Sequence, residues 1–325
     1  MRQGESPYPQ AQIEQAITLY IQGSSPRTIQ KQTGVGRTAL SNCLHSRGIA
    51  IRSQSQAQRR YRLNERYFSH IDTREKAYWL GMLYADGCII KHLIRGPRNE
   101  AGSFVYQVGI AFQDADVDHL KLFRRHLDSD APVKPMKGLG AFQLRLTSRQ
   151  MVEDLERKGC NYRKSLETRI PNASILPRHL LSHYVRGYLD GDGTVRIRSK
   201  KDGTQELFVH IACGADWARD LSSLLGYGSV HIVRESRANR RDYAKFGVYH
   251  GTALRFLTFV YSDSRGCRLE RKFLKFQEWV KMRWRLQNLE ATRPSRKRLA
   301  ITTEHLRAAG LSIDPNAQPL TNGCT

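Results

Sequence analysis

The sequence predicts an α+β protein in which two similar half-domains follow a small helical domain. Three observations predict this fold class. The first 52 residues show helical periodicity, the remainder carries one unit twice at an offset of 106 residues (Tyr78 to Tyr184), and both copies contain segments that alternate apolar and polar residues as strands do. The predicted segments are a helix-turn-helix domain (1–52), a basic linker (53–66), two half-domains (67–175 and 176–292) and a basic, poorly ordered tail (293–325).

The composition predicts a soluble protein with an anionic partner. The chain has 325 residues, which at roughly 150 residues per domain is enough for about two domains. Its 53 Lys and Arg against 30 Asp and Glu leave a formal net charge of +23, which favours nucleic acid as the partner, with an anionic membrane surface as the alternative. No apolar stretch approaches the roughly 18 residues that span a bilayer, and the first residues lack a signal-peptide core. We expect an intracellular protein without a membrane partner, in a bacterial or phage-host cytoplasm or in an organelle.

The N-terminal segment predicts three short helices arranged as a helix-turn-helix. Ile13, Ile17 and Ile21 recur at helical spacing, Ser25 suits the start of a second helix, and a Gly-Val-Gly turn precedes a third. In such domains the second helix of the motif enters the major groove of DNA. The alternative is a small helical bundle that binds protein. The outward residues expected to contact DNA are Arg37, Thr38, Ser41 and Asn42.

The repeat is carried by separate segments at nearly one offset. YWLGMLYADG from Tyr78 matches YVRGYLDGDG from Tyr184, and a Gly-Cys pair followed by Arg-Lys recurs near residues 159 and 266. A unit of this length predicts two half-domains related by a pseudo-twofold axis. Each copy of the first segment has two small residues four apart, which share one helix face and let two helix backbones approach. These helix-packing residues are Gly81 and Ala85 in the first copy, and Gly187 and Gly191 in the second.

Each repeated helix is expected to end with an aspartate before a glycine. Gly87 and Gly193 suit a C-terminal cap. Asp86 and Asp192 would meet the negative end of the helix dipole, at a cost of roughly 0.3–1 kcal/mol each, and helix packing would bring the two carboxylates together. A divalent cation would relieve both problems. Oxygen ligands without neighbouring His or Cys favour Mg²⁺, for which Mn²⁺ can substitute. The alternative is two solvated capping acids.

The paired segments resemble the two signature helices of single-chain LAGLIDADG homing endonucleases, and the resemblance covers about residues 66–290. It implies two αββαββα half-domains that form a saddle over DNA. It also implies that Asp86 and Asp192 bind divalent metal ions, assisted by the main-chain oxygens of Ala85 and Gly191. Further active-site residues implied by the resemblance are Gln113, Lys164 and Lys272. The position equivalent to Gln113 falls at Gly214, a departure that predicts a less complete active site in the second half.

The strands themselves predict a DNA-binding face. From Thr194 to Lys200 apolar residues alternate with basic ones, which gives the strand one apolar and one cationic face. Arg, Lys and Gln side chains read base edges and bind phosphates, and a β-ribbon fits the major groove. The alternative is an ordinary solvated face. The strand residues expected to contact DNA are Gln107, Gln143, Arg145, Arg196, Arg198 and Lys200.

The basic charge and the repeated acids favour a nuclease, and the resemblance implies a site-specific endonuclease that acts in intron homing. The resemblance implies that a monomer makes a metal-dependent double-strand break in a long DNA target and leaves short 3′ overhangs. Two alternatives remain open. One is a DNA-binding transcriptional regulator that retains the nuclease fold, and the other is an intron maturase that binds its own intron RNA.

Overall fold

The chain divides into two compact units, Met1–Arg62 and Leu63–Thr325. The computed structural model describes residues 7–51, 61–96, 99–161, 168–201, 203–234, 242–289 and 299–311. Among the described residues, the first unit contains three helices and the second contains the strands of two sheets. Within these described ranges, no helix combines the length and the apolar character that crossing a membrane requires.

The first unit consists of α1 (Gln10–Ile21), α2 (Pro26–Thr33) and α3 (Arg37–Ser46). Ser25 begins α2, since its hydroxyl oxygen accepts a hydrogen bond from the Thr28 N–H at 3.1 Å. The buried stripe of α1 is Ile13, Ala16, Ile17 and Tyr20. Ile21 was expected on this stripe but is 68% exposed, because at 3.6 residues per turn it lies about 80° round the helix from Ile13.

Two half-domains of the same topology make up most of the second compact unit. The first contains α4 (Arg74–Ala85), β1 (Cys88–Gly96), β2 (Asn99–Gln113), α5 (Val117–His126), β3 (Lys134–Met136), β4 (Ala141–Thr147) and α6 (Arg149–Arg157). The second contains α7 (Leu181–Asp192), β5 (Gly193–Ser199), β6 (Gln205–Cys213), α8 (Ala215–Leu225), β7 (Ser229–Val233), β8 (Tyr243–Tyr249) and α9 (His250–Tyr261). The predicted α+β fold with tandem αββαββα half-domains and an N-terminal three-helix unit is therefore confirmed.

Each half-domain has one antiparallel four-stranded sheet. The strand orders are β1-β2-β4-β3 and β5-β6-β8-β7, so the same connectivity appears twice. One face of each sheet is buried, through Val108, Ile110 and Phe112 on β2 and through alternate residues of β6. This period-two burial is what the alternating sequence predicts.

Helices α4 and α7 lie in the interior. Residues 77–84 of α4 and 183–190 of α7 are buried without interruption. A helix buried on all sides belongs to a core rather than to a surface. The pair therefore joins the two half-domains and fixes where the ends of both helices lie.

The C-terminal part of the chain folds against the second half-domain. After α10 (Glu270–Leu289), the segment 299–311 contains α11 (Thr303–Ala308), with Ile301 and Leu306 buried. The Gln287 side chain accepts a hydrogen bond from the Ile301 N–H at 2.7 Å, and the Gln277 amide donates to the Ala309 carbonyl at 3.1 Å. The expectation of a poorly ordered tail is wrong for 299–311, because its apolar residues pack against the protein and are buried.

Part of the predicted linker 53–66 also belongs to the second compact unit. The Asn64 N–H donates to the Leu127 carbonyl at 2.9 Å, and the Ser148 hydroxyl donates to the Glu65 carboxylate at 2.6 Å. Residues 53–60 of the predicted linker lie outside the described ranges. The second compact unit therefore begins within the predicted linker, at Leu63.

Candidate active site

The two central helices touch through glycines. A Cβ added at Gly81 would lie 1.9 Å from the carbonyl oxygen of Tyr184, and one added at Gly187 would lie 1.9 Å from that of Tyr78. Real Cβ atoms do not approach other atoms within 3.0 Å, so neither position has room for a side chain. The close backbone contact brings the C-terminal ends of the helices together.

The acid-bearing ends of the helices lie against each other. A Cβ added at Gly191 would be 2.4 Å from the Cβ of Ala85 and 3.1 Å from Oδ2 of Asp86. Asp86 follows the last residue of α4, and Asp192 is the last residue of α7. Both side chains are exposed. The structure thus brings Asp86, Ala85 and Gly191 into contact at the helix ends, where the Asp86 side chain is exposed.

Gly87 and Gly193 stand at the helix ends where they were expected. Gly193 is the C-cap of α7, and Gly87 directly follows Asp86, the C-cap of α4, but neither glycine has a positive φ, and Gly193 is extended with φ −94° and ψ 160°. An added Cβ would instead meet the carbonyl oxygen of Leu83 at 2.6 Å or of Leu189 at 2.4 Å. Glycine is needed because the chain turns directly from the helix into the first strand of the sheet.

Lys272 binds the end of α7. Its buried Nζ donates to the carbonyl oxygens of Leu189 and Asp190 at 2.7 Å each and to that of Gly191 at 3.2 Å. The Leu189 carbonyl also accepts from the N–H of the C-cap residue Gly193. The carbonyls of Asp190 and Gly191 belong to the last turn, which has no further helical N–H groups to bond, and a cation beside them interacts favourably with the helix dipole. Burial lowers the pKa of Lys272 to about 8, against the opposing attraction of Asp190, and the charges of Asp86 and Asp192 also reach it. Lys164, its predicted counterpart, lies outside the described residues.

Asp190 is a site residue that the sequence did not single out. Its buried carboxylate accepts hydrogen bonds from the Leu269 N–H at 2.8 Å and the Tyr78 hydroxyl at 2.9 Å. Burial raises its pKa to about 6, although Lys272 nearby lowers it. The contacts tie the start of α10, and therefore Lys272, to α7. A signal was available, because Asp190 stands where the first motif has Tyr84.

Gln113 has no counterpart in the second sheet. It is the exposed last residue of β2. Cys88 pairs with Gly109 in the first sheet, and the equivalent Thr194 pairs with His210 in the second. Gly109 therefore corresponds to His210, and Gln113, four residues later, corresponds to Gly214. The departure from the family pattern expected at Gly214 therefore coincides with the start of α8 rather than with a shifted strand.

The strand residues expected to contact DNA share one face within each sheet. Pairing of β2 with β4 puts Gln107 beside Thr147, to which its amide donates at 3.3 Å, and the Arg145 guanidinium donates to the Gln143 side chain at 2.8 Å. In the second sheet Arg196, Arg198 and Lys200 are exposed. Arg198 and Lys200 have an acidic neighbour, Glu206, that the sequence did not single out.

The third helix of the first unit presents the polar residues that its sequence pattern places outward. Arg37, Thr38 and Asn42 are exposed and Ser41 is half-buried, while Leu40 and Leu44 are in the core of the unit. The surface of α3 is therefore polar along its exposed side.

The chain is similar to LAGLIDADG homing endonucleases. One similar solved structure is the meganuclease I-SmaMI bound to uncleavable DNA, with 13% identity over 67% of this chain and 97% of that chain and a TM-score of 0.49. A second is the I-LtrWI LAGLIDADG homing endonuclease bound to target DNA, with 12% identity over 71% of this chain and 92% of that chain and a TM-score of 0.48. A third is I-SmaMI bound to an uncleaved DNA target in the presence of calcium ions, with 14% identity over 67% of this chain and 93% of that chain and a TM-score of 0.43. No protein-family model and no curated protein matches the sequence.

The donor atoms at the helix ends suit a hard divalent cation. Asp86 supplies a carboxylate beside the main chain of Gly191, and Asp192 ends the partner helix. Within the described ranges, no group of three or more His, Cys, Asp or Glu side chains could hold a metal ion. A site with few carboxylates still fits Mg²⁺, which is commonly bound by one or two carboxylates together with waters and substrate phosphates.

Proposed function

We propose that this protein is a site-specific DNA endonuclease that breaks both strands of a long duplex target. The observation that carries the proposal is the convergence of Asp86, Gly191 and Lys272 where α4 and α7 end. Each helix passes directly into the first strand of a sheet, so both sheets begin at the two acids. Exposed cationic and amide side chains on the sheets are suited to a DNA duplex.

The pseudo-twofold arrangement suits two cuts by one chain. Asp86 and Asp192 belong to equivalent helices, so each can serve one scissile phosphate. We propose Mg²⁺ as the bound ion, with Mn²⁺ as a substitute, held by these carboxylates and by the main-chain oxygens of Ala85 and Gly191. When bound, such an ion activates water and stabilises the developing charge on phosphate oxygens. Because both motifs lie in one chain, a monomer is sufficient. The resemblance to LAGLIDADG homing endonucleases implies that the cuts leave short 3′ overhangs.

The other residues have supporting parts in this proposal. Lys272 contributes positive charge from a fixed position at the end of α7, and Lys164 is proposed to do the same in the first half. Gln113 is proposed to orient water or phosphate in the first half. The helix-turn-helix unit adds a second DNA contact through the exposed residues of α3, and a role in intron homing would follow from a long and specific target.

The proposal is tested by cleavage of a randomised DNA library with Mg²⁺, followed by sequencing of the ends. We expect one family of related sites with matching 3′ overhangs. The control is the doubly substituted Asp86→Asn, Asp192→Asn protein, which should bind the recovered site but release no ends. Random breakage, or ends that persist with this variant, would contradict the proposal.

A further inference from the structure

One carboxylate lies on the cationic face of the second sheet. Glu206 on β6 pairs directly with Arg198 on β5, on the face that also carries Arg196. Its side chain is only 5% exposed, although this face is open to solvent. A negative charge at this position repels phosphates and lowers the affinity for any duplex. Its presence on a DNA-binding face therefore requires a compensating role.

Three basic side chains enclose the Glu206 carboxylate. Arg198 places Nε 2.6 Å and Nη2 2.5 Å from Oε2, while His250 Nε2 and Lys200 Nζ lie 2.5 and 3.6 Å from Oε1. Lys200 and His250 are also 3.2 Å apart. The Arg198 guanidinium lies 5.4 Å from the centre of the Phe208 ring. The carboxylate thus holds Arg198 and Lys200, two exposed cations of this face, in one arrangement.

The described side chains of the first sheet form no equivalent cluster. The same register places His92 opposite Val105 at the positions of Arg198 and Glu206. Ile94, at the position of Lys200, is 51% exposed. The two sheets therefore share a topology but offer a duplex different surfaces, and the carboxylate is a feature of the second half alone.

We propose that Glu206 is a specificity-determining residue of the DNA-binding face. The inference rests on the proposed function. A guanidinium that already has a carboxylate partner gains little from a random phosphate, but it still gains from a guanine edge or a well-placed phosphate that offers two acceptors at once. Glu206 therefore reduces binding to random duplex more than binding to the target, and specificity is this difference in affinity.

The test is Glu206→Gln, which keeps the shape of the side chain and removes its charge. Affinity is measured in Ca²⁺, without cleavage, for a random-sequence duplex and for the target site. The target site is the one recovered from library cleavage or, if nothing is cut, from binding selection. When salt is raised from about 50 to 200 mM, duplex affinity falls. For each cation that Glu206→Gln makes available to phosphates, this fall should be larger than in the wild type by a factor of about 3. Random duplex should be bound more tightly, and the ratio of target to random affinity should fall.

Glu156→Gln is the matched control. Glu156 also accepts from a lysine, with Lys91 Nζ 2.6 Å from its carboxylate, but it belongs to α6 rather than to the cationic face. This variant makes the same change in net charge, so its salt dependence and its affinity ratio should match the wild type. A second variant, Arg198→Gln with Glu206→Gln, removes both partners and should lose much of the gain on random duplex. Thermal melting checks that each variant is folded.

The outcomes separate the two proposals. If the wild type binds duplex DNA but Glu206→Gln leaves the salt dependence and the affinity ratio unchanged, or weakens binding to both duplexes equally, the role of Glu206 is refuted and the proposed function stands. If the wild type binds no duplex DNA, the proposed function fails and the role of Glu206 fails with it.

Discussion

The contact between α4 and α7 makes a strong prediction about Gly187→Ala. The new Cβ would lie 1.9 Å from the Tyr78 oxygen and 2.8 Å from the Met82 nitrogen. Both are backbone atoms and cannot turn aside. Reaching 3.0 Å, the closest approach that Cβ atoms make, requires the helices to separate by about 1 Å. A gap of that size forfeits about a quarter to a half of the attraction between facing atoms.

The magnitude follows from this separation. Overpacking of a core costs typically about 1–3 kcal/mol, and a backbone obstacle in a fully buried helix pair belongs at the upper end of this range. A loss of about 3 kcal/mol lowers Tm by about 6–12 °C for a unit of this size. Because the ends of the same helices carry Asp86 and Asp192, a shift of about 1 Å should also reduce cleavage by about 100-fold. DNA binding through the sheets should change little.

The assay combines thermal melting, duplex binding and cleavage of the recovered site. Gly109→Ala is the control for melting, since its Cβ would meet no atom nearer than 3.8 Å. If Gly187→Ala melts and cuts as the wild type does, the helices are not in close contact through glycine. If Gly187→Ala is less stable but, where still folded, cuts as fast as the wild type, the helix ends do not position the reacting groups.

Two further predictions concern stability. Burial lowers the pKa of His119 to about 4, so protonation of this residue favours the unfolded state. His119 alone should contribute a fall in stability of about 3 kcal/mol as the pH decreases from about 6.5 to about 4. In denaturant titrations His119→Gln should make the pH dependence less steep, and an unchanged pH profile would contradict this role. Leu306 on α11 is buried, so Leu306→Ala should cost about 2–5 kcal/mol, whereas Leu274→Ala at a 53% exposed position of α10 should cost little; equal melting of the two variants would show that α11 is not docked.

The helix pair could be predicted from sequence because its signals are local. Small residues four apart and an acid before a glycine occur twice, and each indicates a helix face or a helix end without knowledge of the rest of the chain. The period of the strands likewise predicts which of their faces is buried. The fold class follows from these local patterns, since repeating one of them at a fixed offset repeats the half-domain.

The parts that sequence did not predict depend on contacts between distant segments. Asp190 is interpretable only when the Leu269 N–H is known to lie beside it, and Glu206 only when Arg198 and His250 are known to face it. The role of Gly87 depends on the space left by the Leu83 carbonyl rather than on its own φ. The Leu269 partner of Asp190 and the His250 partner of Glu206 therefore lie in segments that no short motif joins to these acids.

The most direct test of the central claim is strand-resolved cleavage of the recovered site, labelled on each strand, by Asp86→Asn and Asp192→Asn in Mg²⁺. Asp118→Asn, at an exposed acid of α5, is the control and should cut as the wild type does. We predict that neither active-site variant makes a double-strand break, while both bind the site with nearly unchanged affinity and melt at or above the temperature of the wild type. Double-strand cleavage by both variants in Mg²⁺ would contradict the assignment of Asp86 and Asp192 as the metal-binding, catalytic carboxylates.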